Sequence, residues 1–148
     1  VVKGIVVLSG GLDSATALGL AEKELGWIHC ISFDYGQRHG IELDAARQLA
    51  QHYDFPHEII YLPKELFKGG VLTDLSKDVP KMTYAELPDG EMSPTYVPFR
   101  NGNLLSQAAA YADSLIRDTG DTARIYAGMH AEDAAGFAYA DCTPEFLG

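Results

Sequence analysis

The sequence predicts an α/β protein built on an open parallel sheet with helices on both faces. Three observations lead there. Short β-branched runs alternate with stretches of helical periodicity. The first runs are apolar at successive positions, as in strands buried on both faces. Two consecutive strand–helix–strand units imply parallel pairing with right-handed crossovers.

Gly4-Ile-Val-Val-Leu8 reads as the first strand. A helix follows from about Asp13 to Glu24, with Ala17, Leu18, Ala21 and Leu25 at helical spacing and Gly26 ending it. Trp27 to Phe33 reads as the second strand and Ile41 to Tyr53 as the second helix, with Ile41, Ala45, Leu49 and Tyr53 on one stripe. Glu58 to Leu62 reads as the third strand. Residues 63–94 carry Gly69-Gly70, Pro80, Pro88 and Asp89-Gly90 and read as an irregular insertion, with short helical pieces near Leu66 and Leu72. Asn103 to Ile116 reads as a helix with Leu104, Ala108, Ala112 and Ile116 in line, and Ala123 to Ala127 as a fourth strand. Residues 128–148 are rich in Ala and Gly and show no clear period.

Length and composition narrow the function. The 148 residues suit one domain, which can bury a core without staples. No apolar run approaches the roughly 20 residues of a membrane span. Val1 to Leu8 shows no basic stretch or cleavage site of a secretory signal, and a start at Val1 suggests processing or trimming. The net charge of −10 argues against a surface that tracks nucleic-acid phosphates. Two cysteines, Cys30 and Cys142, make no disulfide scaffold, so a reducing cytoplasm is expected and Cys30 is expected to be buried.

Ser9-Gly-Gly-Leu-Asp-Ser14 lies between the first strand and the first helix. A helix start offers free N–H groups and the positive end of the dipole. Two glycines permit a tight turn and close approach of phosphate oxygens. Ser9 and Ser14 add hydroxyl donors, and Ser14 can also cap the helix. Asp13 would repel phosphate unless a cation intervenes, so Mg²⁺ is expected there. No Gly-Lys-Ser/Thr follows, so this is not a Walker A loop, and no G-x-G-x-x-G is present. A structural Gly turn is the bland alternative.

Two more segments fall where ligands gather, at the carboxyl ends of strands, and another precedes the third helix. In Phe33-Asp-Tyr-Gly-Gln-Arg-His39, Tyr35 can stack on a planar base, Arg38 can pair with an anion and His39 can move protons. In Thr95-Tyr-Val-Pro-Phe-Arg-Asn-Gly102, Arg100 and Asn101 suit phosphate or purine edges, although Asn101 or Asn103 can be a simple N-cap. Gly128-Met-His-Ala-Glu-Asp133 offers His130, Glu132 and Asp133 as ligands or bases, or merely a solvated loop. Asp141-Cys-Thr-Pro-Glu-Phe146 suggests no mechanism by itself, and zinc at Cys142 lacks cysteine partners.

Ser9 to Ser14 alone resembles the loop of N-type ATP pyrophosphatases, which split ATP between the α and β phosphates. With Phe33–His39, Tyr96–Asn101, His130–Asp133 and Asp141–Phe146 in this order, the chain resembles the QueC family of 7-cyano-7-deazaguanine (preQ0) synthases. The resemblance implies an adenine-nucleotide α-hydrolase-like fold. It implies an ATP-dependent ligase that converts 7-carboxy-7-deazaguanine and ammonia to the nitrile in queuosine or 7-deazaguanine biosynthesis. ATP-binding positions are then Leu8, Ser9, Gly10, Gly11, Leu12, Asp13, Ser14, Ala15, Thr16 and Asp34. Arg38, His39, His130 and Asp133 are the catalytic candidates, and Tyr35, Gln37, Arg100 and Asn101 the substrate-binding ones. The resemblance also implies a cytoplasmic homodimer with no membrane and no nucleic acid as direct substrate.

Two departures qualify the match. The family continues past its Pro-Glu-Phe element into a segment with a four-cysteine zinc site, and no such cluster is in this sequence. The expectation is a domain over 1–148 cut short at its C-terminus, or a reduced relative. Ala140 stands where a proline usually precedes the Asp. Two other functions compete. One is a different adenylating enzyme of the tRNA-thiolation type, for which Cys30 and Cys142 are poorly placed nucleophiles. The other is a nucleotide-binding module without turnover.

Overall fold

The computed structural model describes residues 1–36, 40–67 and 100–129. These fall into two units. One holds residues 1–34, 40–61 and 104–128; the other holds 35–36, 62–67, 100–103 and 129.

The first unit carries the sheet. Its strands are β1 (Val2–Val7), β2 (Ile28–Asp34), β3 (His57–Tyr61) and β4 (Thr122–Ala127), in spatial order β3-β2-β1-β4. All pairings are parallel. Helices α1 (Leu12–Glu24) and α2 (Gly40–His52) make the first two crossovers, and α3 (Arg100–Ile116) precedes β4. From β1 the chain steps outward to β2 and β3, then returns to place β4 on the other side of β1. The reversal of strand order therefore lies between β1 and β4.

Alternation along the strands assigns the faces. Val6, Leu8, Ile28 and Cys30 pack with Leu18 and Ala21 of α1 and Ala46 and Ala50 of α2. The opposite face meets α3: Lys3 donates to the Leu115 carbonyl at 3.2 Å, and Tyr111 Oη lies 2.8 Å from His29 Nε2. Helices thus cover both faces, as expected. At the far end of α1, Glu24 accepts from Tyr126 Oη at 2.6 Å and from Arg124 at 3.1 Å, tying the helix to β4.

Several element boundaries differ from expectation. Helix α1 ends at Glu24, as expected, but its C-cap is Leu25 rather than Gly26; Leu25 is extended, and its N–H still bonds to Ala21. The buried face of α2 is Leu43, Ala46 and Ala50, while Ile41 is 75% exposed. The expected stripe was a run of i, i+4 steps, which drifts round a helix of 3.6 residues per turn. Helix α3 begins at Arg100, three residues early. Asn101 and Asn103 therefore stand inside the helix, and neither is its N-cap. Two asparagines and Gly102 have weak helix propensity, but Gly102 is buried, and packing overrides propensity. Of the 63–94 stretch, Lys64–Phe67 forms one 3-10 turn and residues 68–94 lie outside the described residues.

Cys30 is fully buried, as expected, and burial pushes its thiol up to about 11. Two histidines behave in the opposite sense to an ion-paired histidine. Burial lowers His57 below 6.5, with Arg47 and His29 acting in the same direction. Burial also lowers His29, against an opposing pull from Glu58. Below 6.5 the unfolded chain then binds more protons than the folded one, so acid favours unfolding. Stability is expected to be full above neutrality and to fall as pH drops from about 7 towards 5. Urea midpoints at pH 7.5 and 5.5 check this; an equal or higher midpoint at 5.5 contradicts it.

Candidate functional site

The Ser9–Ser14 loop joins the carboxyl end of β1 to the start of α1. Gly10 sits at φ +87°, and a Cβ there would strike the Glu42 carbonyl and come within 3.0 Å of the Ala46 amide nitrogen. Glycine is needed here for both backbone angle and space. Gly11 differs: its φ is −80°, and a Cβ would meet only Ser9 Oγ at 3.5 Å.

Gly11 is the N-cap of α1 and gives no side-chain acceptor. The first helical bond runs from Ala15 N–H to the Gly11 carbonyl. The amides of Leu12, Asp13 and Ser14 consequently open the helix without a capping side chain, as an anion-binding terminus requires. Ser14 does not cap the helix, contrary to one expectation. It lies inside the first turn, where its hydroxyl donates to the Gly11 carbonyl at 3.0 Å and accepts from Ser9 N–H at 3.1 Å. Ser9 Oγ donates to Ser14 Oγ at 3.1 Å and accepts from Gly11 N–H at 3.3 Å. Both serine hydroxyls thus hold the loop's own shape; reaching phosphate requires them to exchange these partners.

Beside the loop, Gly128 follows β4, and a Cβ on it would overlap the Asp13 carbonyl and lie 2.8 Å from Ser14 N. Val7 pairs with Ala127 in the β1–β4 register. The loop therefore sits at the carboxyl edge where strand order reverses, the usual ligand crevice of such sheets. An open hollow of about 360 Å³ also borders the loop on the α2 side, lined by Gly10, Gly11, Leu12, Ala15, Ala45, Gln48 and Leu49. Its lining carries no charged side chain.

Leu8 is buried, Thr16 bonds back to the Leu12 carbonyl at 2.9 Å, and Asp34 closes β2. Asp13 is exposed in the first turn. Among the described residues no three His, Cys, Asp or Glu side chains gather to hold a metal. Asp13 belongs to no such group among them, and Mg²⁺ there would draw most ligands from a nucleotide and water.

In the second unit, Tyr35 is 7% exposed and its ring tilts on Phe67 at 5.0 Å. Arg100 donates to Tyr35 Oη at 3.4 Å. The ring expected to stack on a base packs on Phe67, and its phenol meets a guanidinium. Asn101 is half-buried, one residue along α3. Gln37, Arg38, His39, His130 and Asp133 lie outside the described residues, as do Glu132 and Cys142.

Sequence reasoning passed over Gly128, Phe67, Ser32 and His57. Ser32 carried a signal, being the one hydroxyl in an otherwise apolar run from Cys30 to Phe33.

Residues 3–148 match the family model described as "Queuosine biosynthesis protein QueC". The chain belongs to the QueC family. Its similarity to other members extends over nearly its whole length. It is 45% identical over 97% of its residues to a protein of Aquifex aeolicus, covering 62% of that protein. It is 43% identical to one from Methylococcus capsulatus and 44% identical to one from Legionella pneumophila, covering 59% of each. Each of these relatives is named 7-cyano-7-deazaguanine synthase. This QueC family chain thus spans about three-fifths of the curated relatives it matches.

Proposed function

We propose that this protein is an ATP-dependent carbon–nitrogen ligase that converts 7-carboxy-7-deazaguanine and ammonia to 7-cyano-7-deazaguanine. The observation that carries the proposal is an uncapped helix start and a left-handed glycine turn at the strand-order reversal, in a chain whose relatives bear that product's name.

The chemistry suits the loop. A carboxylate is a poor acyl donor because oxide does not leave. Attack of a carboxylate oxygen on the α-phosphorus of ATP forms an acyl-adenylate and expels pyrophosphate. Ammonia displaces AMP and leaves the amide. The amide oxygen then attacks a second ATP, again expelling pyrophosphate, and loss of AMP and both nitrogen-bound protons gives the nitrile. Each half needs the leaving pyrophosphate held and its growing charge offset. The amides of Leu12, Asp13 and Ser14 supply that at the positive end of α1. Mg²⁺ bound with the nucleotide beside Asp13 would neutralise phosphate charge.

Arg100 is assigned an anion contact, held in direction by the Tyr35 phenol, with Asn101 and Gln37 at the substrate. Catalytic roles are assigned to Arg38, His39, His130 and Asp133, with proton transfer given to His39 or His130. The remaining ATP contacts are assigned to Leu8–Thr16 and Asp34. A cytoplasmic homodimer that takes free 7-deazaguanine rather than nucleic acid completes the proposal. No helix among the described residues is long and apolar enough to cross a membrane.

Incubation with the deazaguanine acid, ammonium and MgATP is expected to yield the nitrile with two AMP and two pyrophosphate per turnover. ADP and phosphate as products overturn the mechanism. ATP binding without AMP formation would instead mark a nucleotide-binding module.

A further inference from the structure

One peptide unit at the root of the loop is gripped at both ends by side chains from elsewhere. The Leu8 carbonyl and the Ser9 N–H belong to the same planar Leu8–Ser9 peptide. The N–H is held by Ser14 Oγ of α1 at 3.1 Å. The carbonyl accepts from the hydroxyl of Ser32, in the neighbouring strand β2. Ser32 is fully buried, and its Oγ also lies 2.7 Å from Nε2 of His57, the first residue of β3.

The donors in this chain can be assigned. A serine hydroxyl has one proton, and a carbonyl can only accept. The Ser32 proton therefore goes to Leu8, and His57 must donate from Nε2. His57 stands in the Nε2–H form, and it fixes the rotamer of Ser32. On the other side of Leu8 the backbone ladder is normal, with its N–H on the Ile31 carbonyl at 2.8 Å. Its carbonyl takes a side-chain donor, and two residues further on the chain turns left-handed at Gly10. Rotation of the Leu8–Ser9 plane would swing every amide that follows it in the loop.

We propose that Ser32 and His57 are positioning residues for the phosphate-binding loop: from β2 and β3 they lock the Leu8–Ser9 peptide plane and so aim the loop amides at the anion. This rests on the assignment of that loop to ATP. The pair touches no nucleotide and takes no part in bond making. A buried serine of merely structural value would stabilise the sheet as a whole; this one acts on the three residues after Leu8.

The test uses the full chain with Ser32→Ala, Ser32→Thr and His57→Leu. Amide hydrogen exchange at Ser9, Gly10 and Gly11 is followed by NMR without ligand, with amides of the β1–β4 ladder as reference. Magnesium-ATP binding is measured separately by calorimetry. Ser32→Ala is expected to speed exchange at the loop amides by about tenfold, the loss of one buried hydrogen bond, and to weaken ATP binding by a similar factor. The reference amides stay within about twofold. Ser32→Thr retains the hydroxyl and is expected to restore both readouts. His57→Leu is expected to give a smaller acceleration at the same amides, and it decides the matter should Ser32→Ala not fold. Unchanged loop exchange, equal acceleration across the sheet, or failure of threonine to restore protection overturns the proposal. Wild-type protein that does not bind ATP overturns the ATP assignment, while the exchange result still decides the positioning role.

Discussion

Gly10→Ala is expected to abolish measurable ATP binding and to lower the melting temperature, while Gly11→Ala leaves folding intact. The two glycines are adjacent in sequence and equivalent in motif, but they do different work. Gly10 holds φ +87°, which costs an L-residue about 1–2 kcal/mol. Its new methyl would also drive into the Glu42 carbonyl of α2, and the Ala46 amide at 3.0 Å leaves no side step. Backbone does not yield as a flexible side chain does, so an overpacking cost of about 1–3 kcal/mol adds to the angle. The sum of about 2–5 kcal/mol corresponds to a fall of roughly 5–15 °C in a domain of this size. Relief of the clash must move the loop or α2, and either displaces the amides at the helix mouth. Gly11 has an ordinary φ and a neighbour no nearer than 3.5 Å, so its alanine variant should melt within about 2 °C of wild type. Any loss of ATP affinity in Gly11→Ala then reports on the approach of phosphate alone. Calorimetry and thermal melts of both variants check the contrast; equal melting temperatures contradict it.

That contrast shows where sequence reasoning stops. The strands were legible because each is a short β-branched or apolar run with a polar break on either side. The loop was legible because Ser-Gly-Gly-Leu-Asp-Ser falls between such a run and a helical period. What differs between Gly10 and Gly11 is the proximity of α2, some thirty residues away in sequence, and no local pattern encodes it. The start of α3 was hidden for a related reason: Asn101, Gly102 and Asn103 have weak helix propensities that burial of Gly102 overrides. Tyr35 was read as a ring that can stack on a base; that the ring also packs on Phe67 has no local signal. Ser32 and His57 are 25 residues apart, and only the β2–β3 pairing brings them together at the loop's root.

Gly128→Ala is expected to weaken ATP binding by tenfold or more at a smaller cost in stability, about 1 kcal/mol, the low end of overpacking. Gly128 is outside the loop and one residue past β4, so the motif gives no reason to suspect it. The sheet does. Val7 and Ala127 are register partners, so the chain leaves β1 and β4 side by side at the strand-order reversal. A methyl on Gly128 would overlap the Asp13 carbonyl and crowd Ser14 N at 2.8 Å, the first turn of α1. Those are backbone atoms of the helix start proposed to bind the anion. The helix start must therefore shift, or the chain after β4 must retreat from it. Thr122, paired with Val2, lies at the other end of the strand and has no reason to move, which is why binding should suffer more than folding. Gly26→Ala is the matched control, since nothing lies within 4 Å of the Cβ it would add. ATP titrations of the two variants at equal temperature separate the outcomes. If Gly128→Ala binds within twofold of Gly26→Ala, close packing of β4 on the loop does not shape the site.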